Sequence, residues 1–332
     1  MKAISFGAGR SVTLGDLPDP RPGPGEVALR IRASGICHTD LEILRGNYGS
    51  SAFPLVPGHE FSGEIIALGA DVQGLALGDR VAVDPNFGCG HCAACRRGRV
   101  NLCPELGAYG VTCDGGFAES CVVSASKILP VGAMDWHVAA LAEPLGCVLN
   151  GLSPLTGRRI DRAILFGAGP IGILMALALK WRGTAEIAVV DLAEDRLALA
   201  ESFGFTPLQA DSDALRGHRR AHDLAIEATG VASVAQNLTG FLADGGAGLF
   251  FGVCPQAARI EIAPFEMFRR QLSLFGTHSL IQANMREALT LLQQHAPEAA
   301  QVVSHRLSLD EIAEIFRTGA PAGALKVQFS LP

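Results

Sequence analysis

The chain shows two different patterns of apolar and polar positions, one in its first part and one from Ala163 onward. In the first part, apolar and polar residues alternate. Val27, Leu29 and Ile31 face one way, and the residues between them face the other. A period of two residues is typical of β-strands. The same pattern predicts further short strands at residues 63–68, 80–83 and 117–123. The first part of the chain is therefore expected to be an antiparallel β domain.

From Ala163 onward, short apolar runs alternate with helical segments. Such runs are typical of buried parallel strands, and strands alternating with helices predict a doubly wound α/β sheet. The predicted strands are 163–166, 186–190, 223–228, 247–251 and 272–275. The predicted helices are 171–182, 197–203 and 231–242. The tail adds helices at 283–295 and 309–318 and a final strand at 325–330.

Length and composition narrow the class of protein. A chain of 332 residues suggests two domains. A net charge of −6 without a basic patch argues against nucleic acid. The longest apolar run, 171–181, is too short to span a bilayer and contains Lys180. Nine cysteines without a signal-like N-terminal apolar run favour metal and thiol chemistry in the cytoplasm.

A glycine-rich turn follows the strand at 163–166. It reads Gly167-Ala-Gly169-Pro170-Ile171-Gly172 and opens the helix. In a dinucleotide-binding turn the first glycine permits the tight turn, and the second lets the backbone approach the pyrophosphate. The third lets helix and strand pack closely. The helix N-terminus supplies amide groups to the phosphates. Strand, glycines and helix together predict a dinucleotide site.

The next strand ends at Asp191, about twenty residues further on. A carboxylate there can accept hydrogen bonds from the adenosine ribose hydroxyls, and it repels the extra phosphate of NADP. NAD is therefore the expected cofactor. Ligands of such sheets bind at the carboxyl ends of the strands. These ends are predicted at Gly167, Asp191, Thr229, Gly252 and Thr277.

Four cysteines lie close together in a C-x2-C-x2-C-x7-C pattern. Four thiolates in a short lobe suit a closed, tetrahedral, structural zinc site. An iron–sulfur cluster is the alternative, but the seven-residue gap does not match the ferredoxin pattern. We therefore favour zinc, and His91 inside the run is interpreted as a bystander. The four are Cys89, Cys92, Cys95 and Cys103.

A second group of metal-ligating residue types comprises Cys37, His59 and Glu60. Sulfur, nitrogen and oxygen donors together suit Zn²⁺, and three protein ligands leave one position open for catalysis. The alternative is a buried cysteine beside an unrelated histidine. Further on, Glu143 lies within an apolar stretch, where a carboxylate needs a partner. That partner is either a metal ion or an arginine.

Along nearly its whole length the chain resembles the zinc-dependent medium-chain dehydrogenase/reductase family, the alcohol dehydrogenase superfamily. Glu143-Pro-Leu resembles the polyol branch, typified by sorbitol dehydrogenase. The resemblance implies a GroES-like β catalytic domain from residues 1–146 and 281–332, with the cysteine lobe at 89–103. It also implies an NAD-binding Rossmann domain at 147–280.

Residue roles follow from this resemblance. Cys37, His59 and Glu143 resemble the ligands of the catalytic zinc. Glu60 resembles the carboxylate beside that metal, which ligates either directly or through water. Thr39 matches the residue that hydrogen-bonds the substrate hydroxyl, and Asp40 resembles the acid that orients the ligand histidine. The four cysteines resemble the structural zinc lobe, so two zinc ions are expected per chain.

The resemblance also implies the cofactor contacts. Arg196 resembles a basic residue near the adenosine ribose, and His38 and Lys326 match basic groups near the pyrophosphate. The remaining expected contacts are Gly167, Gly169, Pro170, Ile171, Gly172, Asp191, Leu192, Thr229, Gly252, Val253 and Thr277.

One position departs from the family pattern. Several relatives have a proton-relay histidine two residues after the aspartate, and this chain has Glu42 there. The last relay step could use Glu42, a water chain or another residue.

The expected activity is NAD-dependent oxidation of a secondary alcohol, a polyol, to a ketone. An amino alcohol, as in threonine dehydrogenase, is the alternative substrate. Zinc-free quinone reductases and non-catalytic crystallins share the fold, but the intact ligand set argues against both. The expected assembly is a homo-oligomer, either a dimer or a homotetramer, without a membrane or nucleic-acid partner.

Overall fold

Two large β-sheets organise the chain, and each belongs to a different unit. The computed structural model describes residues 1–48 and 51–331. The first unit comprises Met1–Gly146 together with the chain from Leu280 onward, and the second comprises Cys147–Ser279. Elements are numbered below in chain order.

The first unit is built on a seven-stranded sheet. Its order is β16-β17-β3-β4-β5-β9, and β8 pairs with β3. Two smaller hairpin-like pairs, β1 with β2 and β6 with β7, complete the strands. The strands are β1 (Lys2–Gly7), β2 (Ser11–Asp16), β3 (Glu26–Gly35), β4 (Glu60–Leu68), β5 (Arg80–Val83), β6 (Asn86–Phe87), β7 (Gly107–Ala108), β8 (Ser120–Ser124), β9 (Ile128–Pro130), β16 (Val303–Leu307) and β17 (Lys326–Ser330).

The alternation predicted for β3 places Val27, Leu29 and Ile31 in the core, where each is fully buried. Helix α12 covers this core, and its Phe316 ring packs edge-on against Phe6 at 4.9 Å and Phe117 at 5.4 Å. Both ends of the chain therefore share one hydrophobic core. The helices of this part are α1 (His38–Leu44), α2 (Ala93–Arg96), α3 (Trp136–Ala140), α4 (Ala142–Leu152), α10 (Gln282–Gln294), α11 (Ala296–Ala300) and α12 (Leu309–Thr318).

The second unit contains a six-stranded, all-parallel sheet. Its order, β12-β11-β10-β13-β14-β15, reverses direction between β10 and β13. This is the predicted doubly wound arrangement. The strands are β10 (Arg162–Phe166), β11 (Glu186–Asp191), β12 (Thr206–Gln209), β13 (His222–Glu227), β14 (Leu242–Phe250) and β15 (Ser273–Gly276). The helices are α5 (Pro170–Trp181), α6 (Glu194–Ser202), α7 (Asp213–Arg216), α8 (Ala232–Asn237) and α9 (Pro264–Arg270).

The predicted helix at 231–242 is wrong at its C-terminal end. Helix α8 stops at Asn237, a short 3-10 turn follows, and Leu242 already belongs to β14. Gly245 has a φ of 81° within this strand, and the strand's three glycines, at 245, 246 and 248, conceal the strand pattern. Across the described ranges, no helix combines the length and apolar character needed to cross a membrane.

Phe316 provides a test of the first unit's packing. Phe316→Ala should lower the free energy of unfolding by about 3–5 kcal/mol, because it empties a site between two buried rings. Leu77→Ala is the control in the same unit, since that side chain is 65% exposed, and it should change stability by less than about 0.5 kcal/mol. Urea denaturation followed by circular dichroism measures both. Equal unfolding midpoints for the two variants would refute the packing role of Phe316.

Candidate metal centres and nucleotide site

Cys37, His59 and Glu60 form a three-donor group in the first unit. One ligand atom from each residue lies within 4.8 Å of the others. Cys37 immediately precedes α1, and His59 and Glu60 stand at the start of β4. Gly35 on β3 pairs with Glu60, and a Cβ at position 35 would lie 2.2 Å from Glu60 Oε2. The group is thus assembled from two chain segments and needs a glycine beside its carboxylate.

Asp40 fixes the two loops that carry these donors. It is fully buried, and its carboxylate accepts hydrogen bonds from the Cys37 amide at 2.8 Å and the Gly58 amide at 3.3 Å. Its Oδ1 also lies 3.5 Å from His59 Nδ1. Burial acts to lower the pKa of His59, but the charges of Asp40 and Cys37 outweigh it and raise that pKa. The surroundings therefore favour positive charge at this point, as a Zn²⁺ site requires.

Lys326 places a buried positive charge next to the three-donor group, where it pairs with Glu60. Its ammonium is buried and donates to both oxygens of Glu60, at 2.8 and 2.7 Å, and to the Ile36 carbonyl at 3.1 Å. Burial acts to lower the pKa of Lys326, but the charges of Glu60, Cys37 and Glu143 outweigh it and raise that pKa. Lys326 was predicted to lie near the pyrophosphate, and the contacts described for it here are with Glu60 and the Ile36 carbonyl.

Glu143 is buried in the first turn of α4. It is not among the three residues whose ligand atoms meet within 4.8 Å, in the part of the chain that the structure describes. Its charge nevertheless contributes to the raised pKa of Lys326, together with those of Glu60 and Cys37. Glu143 therefore belongs to the same electrostatic surroundings as the three-donor group.

Thr39 and Glu42 both lie on α1, but their surroundings differ. Thr39 is partly buried, one residue from Asp40. Glu42 accepts hydrogen bonds from Asn47 at 2.8 Å and Arg45 at 2.7 Å, and His38 lies 3.5 Å away. The Asn47 bond, with Arg45 next, lowers the pKa of Glu42. A carboxylate held in this way is a poor proton acceptor, which disfavours Glu42 as the end of a relay.

The four predicted cysteines come together in the cysteine lobe, residues 89–103. Two sulfur–sulfur distances are 3.6 Å, between Cys103 and Cys89, and 3.9 Å, between Cys92 and Cys103. Tetrahedral zinc with bonds of about 2.3 Å separates its sulfurs by about 3.8 Å. The lobe therefore has the dimensions of a closed zinc site.

Backbone amides point at the sulfurs of the lobe. The amides of Cys89 and Glu105 lie 3.4 and 3.3 Å from Cys103 Sγ, and the Cys95 amide lies 3.4 Å from Cys92 Sγ. The last of these is the main cause that lowers the pKa of Cys92 to about 7. Such donors stabilise thiolates, which are the form that binds metal. His91 is exposed, and its ring contacts the Cys89 carbonyl at 2.9 Å.

In the second unit the glycine turn has the predicted close contacts. Gly167 has a φ of 107°. A Cβ at Gly172 would lie 1.8 Å from the Gly167 carbonyl, so only glycine fits there. Gly169 stands at the N-terminus of α5, followed by Pro170 and Ile171. The turn therefore exposes the first amides of a twelve-residue helix, which is the geometry that binds phosphates.

Asp191 and Arg196 flank this turn. Asp191 accepts hydrogen bonds from the Ala168 amide at 2.7 Å and the Ala193 amide at 3.0 Å. Arg196 lies over the turn, since a Cβ at Gly169 would be 3.3 Å from its Nη1. A carboxylate and a guanidinium thus stand on either side of the turn.

The other predicted cofactor residues lie at or just beyond strand ends. Leu192 and Val253 are large apolar side chains that are exposed by 74% and 91%. Thr277 accepts a hydrogen bond from Asn150 at 3.2 Å. The Thr229 hydroxyl donates a hydrogen bond to the carboxylate of Glu227, a buried residue that was not predicted from the sequence. The sequence pattern that could have identified Glu227 is a charged residue at the end of an otherwise apolar strand.

Comparisons with known proteins agree with this geometry. Residues 23–133 match the alcohol dehydrogenase GroES-like domain, and residues 170–294 match the zinc-binding dehydrogenase family. The chain is 47% identical to D-altritol 5-dehydrogenase of Agrobacterium fabrum, with 99% of each chain covered. It is 30% identical to L-threonine 3-dehydrogenase of Aeromonas hydrophila, over 91% of this chain and 90% of that one.

A solved structure gives the same result for the fold. A protein described as a zinc-binding dehydrogenase, from Sinorhizobium meliloti 1021 and bound to NADP, is 32% identical. It superposes with a TM-score of 0.93 over 99% of both chains. The GroES-like domain and the Rossmann domain predicted from the sequence are thereby confirmed. The chain belongs to the zinc-dependent medium-chain dehydrogenase/reductase family, in its polyol dehydrogenase-like branch.

Proposed function

We propose that this chain is a zinc-dependent polyol dehydrogenase that interconverts a secondary alcohol and a ketone with NAD. The observation that carries the proposal is the 47% identity to D-altritol 5-dehydrogenase across 99% of both chains. Identity to L-threonine 3-dehydrogenase is 30%, which favours a polyol over an amino alcohol. The three-donor group and the glycine turn supply the two kinds of site that this reaction needs.

The chain's own residues prepare the first of these sites. Zinc held by Cys37, His59 and a carboxylate would act as a Lewis acid toward the substrate oxygen. Asp40 Oδ1 lies 3.5 Å from His59 Nδ1 and would orient the imidazole for metal binding. Thr39 would accept the hydroxyl proton and pass it outward. Lys326 keeps the Glu60 carboxylate paired while it lies beside the metal donors.

The second site would hold the dinucleotide. Amides at the start of α5 would bind the pyrophosphate, and Asp191 would accept hydrogen bonds from the adenosine ribose hydroxyls. NAD held by these residues would supply the acceptor for the hydride of the alcohol carbon, and the hydroxyl proton would leave by way of Thr39 to water. Asp191 supports NAD over NADP, although the relative from Sinorhizobium meliloti carries NADP.

Two zinc ions per chain are part of the proposal. The four thiols of the cysteine lobe suit a closed structural site, and the three-donor group suits an open one. We assign Glu143 as a ligand of the open site, because it is buried and its charge acts on the same Lys326 that binds Glu60. Burying a carboxylate costs free energy unless a cation lies nearby, and a zinc ion bound by Glu143 would be that cation.

Exposed aromatic side chains and free thiols bear on the assembly and the location of the protein. Phe265 and Phe268 on α9 are 67% and 79% exposed, which supports a homo-oligomer, a dimer or tetramer. All nine cysteines are free thiols, which supports the cytoplasm.

The substrate class is tested with a panel of alcohols. D-altritol, other hexitols and pentitols should reduce NAD, measured by the absorbance of NADH, with kcat/KM at least about tenfold above that for L-threonine. A protein that oxidised threonine best would overturn the polyol assignment.

Zinc content tests the metal assignments. The purified protein should contain two zinc ions per chain by elemental analysis. Glu143→Ala should weaken binding of one ion at least about tenfold and lower turnover. Cys92→Ser should instead lose the other ion and lower the melting temperature, because the cysteine lobe then has three ligands. Cys113→Ser, outside both ligand sets, is the control. Full zinc and normal turnover in Glu143→Ala would remove Glu143 from the site.

Cofactor preference tests Asp191. The wild type should use NAD in preference to NADP, and Asp191→Ser should raise the NADP-to-NAD ratio of kcat/KM by about tenfold, because a repelling charge is removed. Steady-state kinetics with each cofactor measures the ratio. Equal use of both cofactors by the wild type would show that Asp191 does not discriminate.

A further inference from the structure

Glu227 is a buried carboxylate that the proposed reaction does not use. It ends β13 and is fully buried. Its Oε1 accepts three short hydrogen bonds: from the Thr229 amide at 2.6 Å, the Thr229 hydroxyl at 2.5 Å and the Gly230 amide at 2.7 Å. Three donors on one oxygen are typical of an ionised carboxylate. Glu227 thus places a negative charge below the end of its strand.

The second oxygen of Glu227 has no partner. Oε2 is buried without a hydrogen bond, and no cation pairs with Glu227 among the residues that the structure describes. This oxygen faces Gly252, where an added Cβ would lie 2.6 Å from it. In the same unit the buried Arg270 pairs with Asp244 and the Leu242 carbonyl, at the opposite end of the sheet. The charge of Glu227 is therefore left uncompensated.

The sheet places this charge on one particular half of the cofactor. β13 lies next to β10, at the point where the strand order reverses, and ligands bind in the crevice there. The pyrophosphate is assigned to the turn after β10 and the adenosine ribose to Asp191 at the end of β11. The nicotinamide half must then extend the other way, over the ends of β13 and β14. Those ends carry Thr229, Gly230 and Gly252, which surround Glu227.

The field of Glu227 reaches the loop after β14. Burial, and next the charge of Glu227, raise the pKa of Cys254. The negative charge of Glu227 therefore acts on groups beyond the end of β14, on the side assigned to the nicotinamide.

The two forms of the cofactor differ in charge where this field acts. The oxidised nicotinamide ring carries a positive charge, and the reduced ring is neutral. We propose that Glu227 sets the redox preference of the cofactor site, so that it binds NAD⁺ more tightly relative to NADH. This inference rests on the proposed function, because it requires the dinucleotide to occupy the glycine turn.

The test compares both cofactor forms on Glu227→Gln, which keeps an acceptor at Oε1 and removes the charge. Dissociation constants are measured on the zinc-loaded protein, by calorimetry for NAD⁺ and by fluorescence for NADH. NAD⁺ should bind about tenfold more weakly, and NADH should change by less than about twofold. Glu186→Gln is the control, since Glu186 is an exposed carboxylate at the start of β11 that pairs with Arg162, and it should leave both constants unchanged.

Equal weakening of NAD⁺ and NADH by Glu227→Gln would reduce Glu227 to a structural support and overturn the inference. Should that variant not fold, the wild type alone provides a second measurement. NAD⁺ should bind more tightly than benzamide adenine dinucleotide, an analogue whose ring has the same shape without the charge, and equal affinities would again overturn the inference. A wild type that bound neither NAD⁺ nor NADH would instead overturn the proposed function, and the inference with it.

Discussion

The first unit depends on holding several carboxylates away from water in one place. Asp40 and Glu60 are buried beside Cys37 and His59, and Glu143 is buried with its charge acting on the same Lys326 that pairs with Glu60. Negative charges in a site of low dielectric repel one another, and each loses its hydration. Two backbone amides stabilise Asp40, and Lys326 stabilises Glu60. A divalent cation would neutralise the remaining charge, so the burial that makes these carboxylates costly would also favour binding of a metal ion.

Much of the fold was predictable because the spacing of apolar residues and glycines over short stretches of sequence determines its strands, helices and turns. The strand at 80–83 and the helix at 309–318 were predicted with the bounds that the structure has. The glycine turn was predictable because close packing between Gly167 and Gly172 permits few other residues. The start of β14 was missed, since its glycines carry no apolar alternation. Strand β12 was missed as well, because it has only four residues and contains Pro207.

The sites were predictable to the extent that their residues are close in sequence. The four cysteines lie within fifteen positions, so spacing alone identified them. The pairing of Lys326 with Glu60 joins residues 266 positions apart, and no local pattern encodes it. Glu227 was overlooked for a related reason. A carboxylate at the end of an apolar strand is informative only when the strand is known to lie at the point where the sheet order reverses.

The position of Lys326 has a consequence for the order of assembly during synthesis. Strand β17, which carries Lys326, pairs with β3 beside the three-donor group. The parallel sheet of the second unit is contiguous in sequence and leaves the ribosome earlier, so it can fold while translation continues. Cys37, His59 and Glu60 also emerge early, but the cation that balances Glu60 is synthesised 266 residues after it. The site therefore reaches its final charge only when β17 is added, and a nascent chain without that strand presents these donors in an unbalanced state.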